Sequence, residues 1–491
     1  MRTVSDLFIS SVKDYSDRIA VVEDGKRLTY RNLYSNVQDL SSFLVSKGVV
    51  KGDKVAIFLP NSIEYIVAFF SIAYIGAVSV PINTAYKEEE VNYFVSNSSP
   101  RIFLTDEKLK NLAEKTVNAI GAEVVVIKGV KTDWTYSNVE RQFSIEWSID
   151  SLDEAIYLYS TGSTGKPKRV ARTHSNLIAL AENHSQTVGW TDRDRILFVV
   201  PLSHTYALGN FISSILVGAS LYLLGSFNRN KVIDLIENES ISIFPAVPFM
   251  LSVLAESYMP RRRNFSSLRL VISSGSPLSA EVFFKFHEKI GIYPRQLYGS
   301  TETGVISINL YEQIEKENRY RSVGRPVKNV KVSIFREDGT IADTDEVGEI
   351  AVKSPSMTSG YYNLPEETKK AFRNGYYFTG DLGVIDKEGY IFIKGRKTMF
   401  INISGNKVNP GEVEDLLLRH PKIKEIVVFG VNDNIGNELV KAVIVPKDDM
   451  SVKDVLDFCD GKIADYKIPR IIEFKSSIPK SPTGKVLTEY L

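Results

Sequence analysis

One alternation recurs in this chain and restricts its fold more than any other feature: a buried strand, an apolar helix, a glycine break and a second strand. In its first occurrence, residues 55–59 read as a strand and 65–74 as a buried helix, and Gly76-Ala77 leads into a strand at 78–82. In its second, the helix after Leu208 gives way to Gly218-Ala219 and a strand at 221–224, then a helix at 231–238 and a strand at 241–245. The segment IGAVSVPIN echoes VGASLYLLG. The pattern predicts parallel, doubly wound sheets in two related α/β halves. An opening helix at 6–15 and a strand at 20–22 precede them, and Thr29 is a candidate N-cap for a helix carrying Leu33, Val37, Leu40 and Leu44 at helical spacing.

After Asn329 the pattern changes to short β segments, KVSIF, GEIAV and GYIFI, separated by DG, EG and NG pairs. They predict a small antiparallel layer. Beyond Gly395 comes another α/β unit, with a helix at 411–419, strands at 426–429 and 439–445, and a helix at 452–459. At 491 residues the chain is too long for one core. The expected organisation is a large N-terminal domain, 1–395, made of two doubly wound α/β subdomains plus the β layer, and a small mobile α+β domain, 396–491.

Composition excludes several classes. A net charge of +1 gives no electrostatic footprint for nucleic acid. The single cysteine, Cys459, has no internal partner, and five scattered histidines show no paired metal spacing, so a reducing, cytoplasmic compartment is expected. The N-terminus lacks the apolar run of a signal peptide. Residues 205–227 carry no charge and are long enough to span a bilayer, but Asn210, Ser213, Ser214 and the Gly218-Ala219-Ser220 break predict a buried helix and a buried strand, with no membrane span.

Three segments carry chemistry. Ser160-Thr161-Gly162-Ser163-Thr164-Gly165-Lys166-Pro167-Lys168 follows the apolar run AIYLY, and a loop of small residues after a strand turns its N–H groups and hydroxyls toward phosphate oxygens. It is not a Walker loop, because proline follows Lys166. Its glycines alone fit a surface turn equally well. In the second, Tyr298-Gly299-Ser300-Thr301-Glu302, the tyrosine offers a stacking face, the glycine allows close backbone approach, the threonine donates to phosphate, and the carboxylate suits a partly hydrated Mg²⁺. The third contains Asp381 in Thr379-Gly380-Asp381, placed to accept ribose hydroxyls, although any surface turn reads similarly.

In this order and spacing the three segments resemble the adenylate-forming superfamily of acyl-CoA synthetases, luciferases and peptide-synthetase adenylation domains. The resemblance continues through Gly395-Arg396-Lys397, the run from Ser404 to Glu414, and Pro482-Thr483-Gly484-Lys485. It implies that the loop from Ser160 through Thr161, Gly162, Ser163, Thr164, Gly165, Lys166 and Lys168 holds the ATP phosphates. Glu302 would bind Mg²⁺ and Thr301 would contact the α-phosphate. Tyr298, Gly299 and the Ser274-Gly275-Ser276-Pro277 turn would enclose adenine, Asp381 and Arg396 would hold ribose, and Lys485 would reach the acid carboxylate and the α-phosphate. His204 matches a family residue bordering the acid, although a lone histidine among apolar segments is by itself more often a core residue.

The implied reaction is ATP-dependent adenylation of a carboxylic acid with release of pyrophosphate, followed by acyl transfer to CoA. Alternatives are transfer to a carrier-protein phosphopantetheine thiol and a non-catalytic nucleotide or acyl-adenylate binder; luciferase-type oxidation is more remote. No aspartate follows His204 to pair with an α-ammonium, so an apolar acid is favoured, fatty acyl ahead of aryl. Tyr206, Phe211, Val247, Ser274 and Val305 are the candidate pocket residues. Arg172-Thr173-His174 resembles aryl-acid activators. Two positions depart from the family pattern, Arg169 at the loop exit and Thr398 at the expected hinge. The run Arg261-Arg262-Arg263 reads as a solvated face.

Overall fold

The computed structural model describes residues 2–118, 120–127, 147–160, 167–259, 263–397, 401–403, 406–432, 438–460, 462–463, 465–480, 486–487 and 491. The chain forms two compact units, one of Met1–Lys331 with Val352–Tyr377, the other of Val332–Ala351 with Phe378–Leu491.

The first unit contains the two expected halves as separate sheets. One has six strands in the order Glu123–Val126, Ile102–Thr105, Lys54–Phe58, Val78–Pro81, Glu154–Ser160 and Lys168–Thr173, parallel except for the last pair. The other has nine, in the order Arg325–Pro326, Gly304–Ile308, Arg295–Ser300, Leu270–Ser273, Ile243–Ala246, Arg195–Phe198, Ser220–Leu223, Ile19–Glu23 and Lys26–Thr29. Its pairings from Arg295–Ser300 to Ile19–Glu23 are parallel, and its outer pairings are antiparallel. Fully buried strands such as Val78–Pro81 and Leu270–Ser273 are what a parallel sheet covered on both faces requires.

The sequence echo has a backbone cause. Gly76 and Gly218 follow the helices Ile63–Tyr74 and Thr205–Leu216 with φ of 70° and 76°, a conformation that favours glycine. At Gly218 a Cβ would also lie 2.4 Å from the Tyr15 ring. The uncharged stretch 205–227 resolves into that buried helix and the strand Ser220–Leu223. No helix among the described residues is long and apolar enough to cross a membrane. Thr29 does cap its helix, accepting from the N–H of Asn32 at 3.1 Å.

In the second unit, Tyr376–Ile385 pairs antiparallel with Ile391–Arg396, setting Asp381 opposite Arg396. Ile423–Asn432 pairs antiparallel with Glu438–Pro446, which continues in parallel to Ile471–Phe474. The helices Pro410–Leu417 and Val452–Cys459 bury Val413, Leu417, Val455 and Cys459 in the core of this α+β unit. Asn409 starts the first of these helices, its Oδ1 accepting from the N–H of Gly411 at 3.0 Å.

One ion pair staples the nine-stranded sheet from behind. Asp194, 4% exposed, accepts from Nε and Nη2 of Arg269 at 2.8 and 2.7 Å and from the Ser242 hydroxyl at 2.8 Å. Burial alone would raise this carboxyl, but the hydrogen bonds from Arg269, the Thr191 N–H and Ser242 outweigh it and hold the carboxyl below its usual range. Its contribution is therefore complete above the ordinary carboxylate pKa and is lost as pH falls through the lowered one. Arg269→Met, which strands a buried carboxylate, is expected to destabilise the first unit by about 2–4 kcal/mol near neutral pH, read as a lower urea midpoint, with the gap to wild type narrowing in acid.

Candidate functional site

The strands Glu154–Ser160 and Lys168–Thr173 are antiparallel, and their register sets Ser160 opposite Lys168. Both ends of the expected phosphate loop are thus fixed by a ladder. Tyr93 adds a hydrogen bond from its hydroxyl to the Pro167 carbonyl at 2.6 Å. Thr161, Gly162, Ser163, Thr164, Gly165 and Lys166 lie outside the described residues, as do Thr398 and Lys485.

The strands Arg295–Ser300 and Gly304–Ile308 form a hairpin whose tip carries Thr301, Glu302 and Thr303. Its register shifts between Tyr298 and Gly299, and the backbones close so tightly that a Cβ on Gly299 would lie 2.5 Å from the Gly304 carbonyl oxygen. Only glycine fits there. Ser300 Oγ accepts from the Thr303 N–H at 3.2 Å, closing the tip.

A strap, residues 354–362, ties this tip to the strand leaving the phosphate loop. The Thr358 N–H donates to the Glu302 carbonyl at 2.9 Å and the Ser356 hydroxyl to the Thr303 carbonyl at 2.7 Å. On the other side, the Thr358 hydroxyl donates to the Ala171 carbonyl at 2.6 Å and the Tyr362 N–H to the Arg169 carbonyl at 3.0 Å. The strap then brings Tyr361 to the centre. Its hydroxyl donates to Glu302 Oε1 at 2.8 Å, and its ring lies 4.9 Å from the ammonium of Lys168.

Two arginines brace the strap. Arg169 stacks on Tyr362 with 3.2 Å between its guanidinium carbon and the ring centroid, and donates to the Asn97 carbonyl at 2.8 Å. That accounts for the departure from the family pattern at this position. Arg172 is fully buried, donates through Nη2 to the carbonyls of Thr303 and Ser356, and sets a positive charge near Glu302. Burial lowers its pKa to about 10, which still leaves it charged at neutral pH.

The turn from Ser274 to Pro277 sits beside the hairpin. Gln296 holds it, accepting from the Leu278 N–H at 3.2 Å and donating to the Tyr320 carbonyl at 2.6 Å. Gly275 has φ of 94°, and its open side faces Val247 at 3.8 Å. Ser276 and Pro277 are exposed, whereas Ser274 and Tyr298 are buried. His204 precedes the helix Thr205–Leu216, on which the Tyr206 hydroxyl donates to the Ile272 carbonyl at 2.9 Å. On the same helix Gly209 faces Leu180 and Val305, 3.6 and 3.7 Å from where its Cβ would stand. Phe211 is placed differently from the other pocket candidates. It is fully buried with its ring 5.3 and 5.4 Å from those of Phe69 and Phe70, an edge-on cluster in the core.

In the second unit, Arg396 Nε donates to Asp381 Oδ1 at 2.8 Å, joining the two residues expected to hold ribose. Arg263 is engaged by Asp234 and Glu237 at 2.9 and 2.8 Å, and Arg261 and Arg262 lie outside the described residues.

Among the described residues, no three carboxylate, histidine or cysteine side chains gather as a metal cage. A single buried carboxylate such as Glu302 fits Mg²⁺, which keeps much of its water and takes further oxygens from phosphates. No motif in the sequence marks Tyr361, and Arg172, which stands in the Arg172-Thr173-His174 run, carries no sequence signal for its place beneath the hairpin tip. Tyr361 is 59 residues from its partner and carries no periodic signal. Tyr361→Phe removes a hydrogen bond to a charged group and is expected to weaken Mg-ATP binding about 10-fold, measured by calorimetry, with a smaller effect on ATP without the metal.

Residues 8–362 match the family described as AMP-binding enzyme, and 412–485 match the AMP-binding enzyme C-terminal domain. The long-chain-fatty-acid–CoA ligase FadD13 of Mycobacterium tuberculosis is 32% identical over 95% of this chain and 92% of its own length. A long-chain-fatty-acid–CoA ligase of Bacillus subtilis is 30% identical over 100% of this chain and 94% of its own. Among solved structures, the o-succinylbenzoate coenzyme A synthetase of Bacillus subtilis in complex with ATP and magnesium ion is 27% identical with a TM-score of 0.88, covering 98% of both chains. The chain is therefore a member of the AMP-binding enzymes, the adenylate-forming superfamily in its acyl-CoA synthetase branch.

Proposed function

We propose that this chain is an ATP-dependent carboxylic acid:CoA ligase acting on a fatty or aryl acid. The observation that carries the reading is Tyr361, which joins the carboxylate suited to Mg²⁺, Glu302, to the ammonium at the loop exit, Lys168. Two groups that an ATP polyphosphate needs are thereby held by one side chain. The CoA-ligase names of the relatives support the acceptor and the acid class.

In the first step a carboxylate oxygen attacks the α-phosphorus of ATP, and the bond to pyrophosphate breaks with its electrons leaving on the departing oxygen. The acid is its own nucleophile, so the work of the protein is to bring two anions together and stabilise charge moving onto pyrophosphate. Lys168 and the loop from Ser160 to Lys166 are assigned to the phosphates, and Thr301 to the α-phosphate. Bound at Glu302, Mg²⁺ would supply further charge neutralisation. Tyr298, Gly299, Gly275, Ser276 and Pro277 are assigned to adenine, Asp381 and Arg396 to ribose, and Lys485 to the carboxylate. Tyr206, Val247, Ser274 and Val305 border the acid, with His204 at its carboxyl end. In the second step the CoA thiolate attacks the acyl carbon and AMP leaves.

The proposal includes a domain boundary near Arg396, rotation of 396–491 between the steps with Thr398 as hinge, and action in the cytoplasm, where the buried lone Cys459 would stay reduced. Lys485→Ala is expected to abolish acid-dependent exchange of pyrophosphate into ATP while ATP binding persists. Unchanged exchange would remove that lysine from the mechanism. Acyl transfer should consume CoA; mass gain on a phosphopantetheinylated carrier without CoA consumption would reassign the acceptor.

A further inference from the structure

The backbone ahead of helix Thr205–Leu216 is pinned from the opposite α/β half. The Asn61 side chain donates to the Val200 carbonyl at 3.0 Å and accepts from the Leu202 N–H at 2.8 Å, while the Tyr65 hydroxyl donates to the Leu202 carbonyl at 3.0 Å. A second asparagine from that half, Asn83, reaches His204 itself, with Nδ2 3.0 Å from Nε2 of the ring.

The orientation of Asn83 is fixed by its other contact. Its Oδ1 accepts from the Ala85 N–H at 2.9 Å, and the residue is 4% exposed. A flipped amide would set its NH₂ against that backbone N–H, donor to donor. The group facing the histidine is therefore the NH₂, which has only hydrogens to offer. Nε2 must present its lone pair, so the ring proton sits on Nδ1. An imidazolium, with protons on both nitrogens, does not fit this contact.

We propose that Asn83 is a positioning residue that locks His204 as the neutral, Nδ1-protonated tautomer beside the acid site. The tautomer follows from the hydrogen bonds alone; its purpose rests on the ligase reading. A cationic ring there would pair with the acid carboxylate or protonate it, and either would withdraw the electron pair that attacks phosphorus. A neutral ring leaves that pair available while still offering Nδ1–H as an uncharged donor. Burial of the ring pushes His204 down to about 4, with no charged side chain among the described residues contributing to the shift.

The test needs no variant at first. In protein labelled with ¹⁵N-histidine, the His204 resonances, assigned by their loss in His204→Gln, should show an unprotonated Nε2 and a protonated Nδ1, unchanged between pH 6 and 8. A proton on Nε2, or titration in that range, overturns the proposal. Asn83→Asp keeps the shape and the Ala85 contact but replaces a donor with an anionic acceptor. It should move the proton to Nε2 and raise the pKa of the ring, so that pre-steady-state adenylation falls about 10-fold per pH unit below the new pKa, while wild type stays flat. An unchanged tautomer or pH profile in this variant also overturns the proposal. If no acid drives pyrophosphate release in wild type, the ligase reading fails, and the nitrogen spectra still decide the tautomer.

Discussion

A carboxylate withdrawn from water must be compensated, and the hydroxyl of Tyr361 on Glu302 is the contact around which this site is arranged. It requires the strap to lie against the hairpin tip, which the Thr358 and Ser356 hydrogen bonds achieve. The strap must also follow the strand leaving the phosphate loop, and the Arg169 stack on Tyr362 secures that side. Arg172 adds charge compensation from beneath the same tip. Three segments far apart in sequence thus share one anchorage, and displacement of any of them would disturb both phosphate-side groups together.

The two sheets play different parts. The six-stranded sheet ends in the antiparallel pair whose connecting residues are assigned to the phosphates. Near one edge of the nine-stranded sheet, inside Arg325–Pro326, lies the antiparallel hairpin that carries Glu302. In each case the interior pairings are parallel, and the segment assigned to the nucleotide lies where the strand direction reverses. Asn61 and Tyr65 cross between the halves to the backbone leading to His204, and Asn83 crosses to the His204 ring itself, so the region assigned to the acid depends on both.

Local rules made much of this legible. Thr29 is a cap because a β-hydroxyl at a helix start reaches the N–H of Asn32, and the helix Val452–Cys459 has the boundaries its periodicity implied. Gly76 and Gly218 marked real turns because their φ is positive. The helix expected at 6–15 begins instead at Val4, because Thr3 and Asp6 form a capping box. Phe211 was harder to place: its helix is apolar on more than one face, and only the packing against Phe69 and Phe70 shows which face holds it. Tyr361, Arg172 and Asn83 act through contacts that span much of the chain, and sequence spacing holds no record of such contacts.

The tight closure at Gly299 also bears on how the acid site can vary. The hairpin backbones leave no room for a side chain at that point, so the carboxylate assigned to Mg²⁺ stands beside a closure that admits only glycine. The helix Thr205–Leu216 is under no comparable restriction at Gly209, where an added methyl would meet Leu180 and Val305 at ordinary contact distance. Substitutions there would reshape the space proposed for the acyl group without touching the hairpin closure at Gly299. On the proposed assignment, the chain thereby separates what it does to a carboxylate from which carboxylate it accepts.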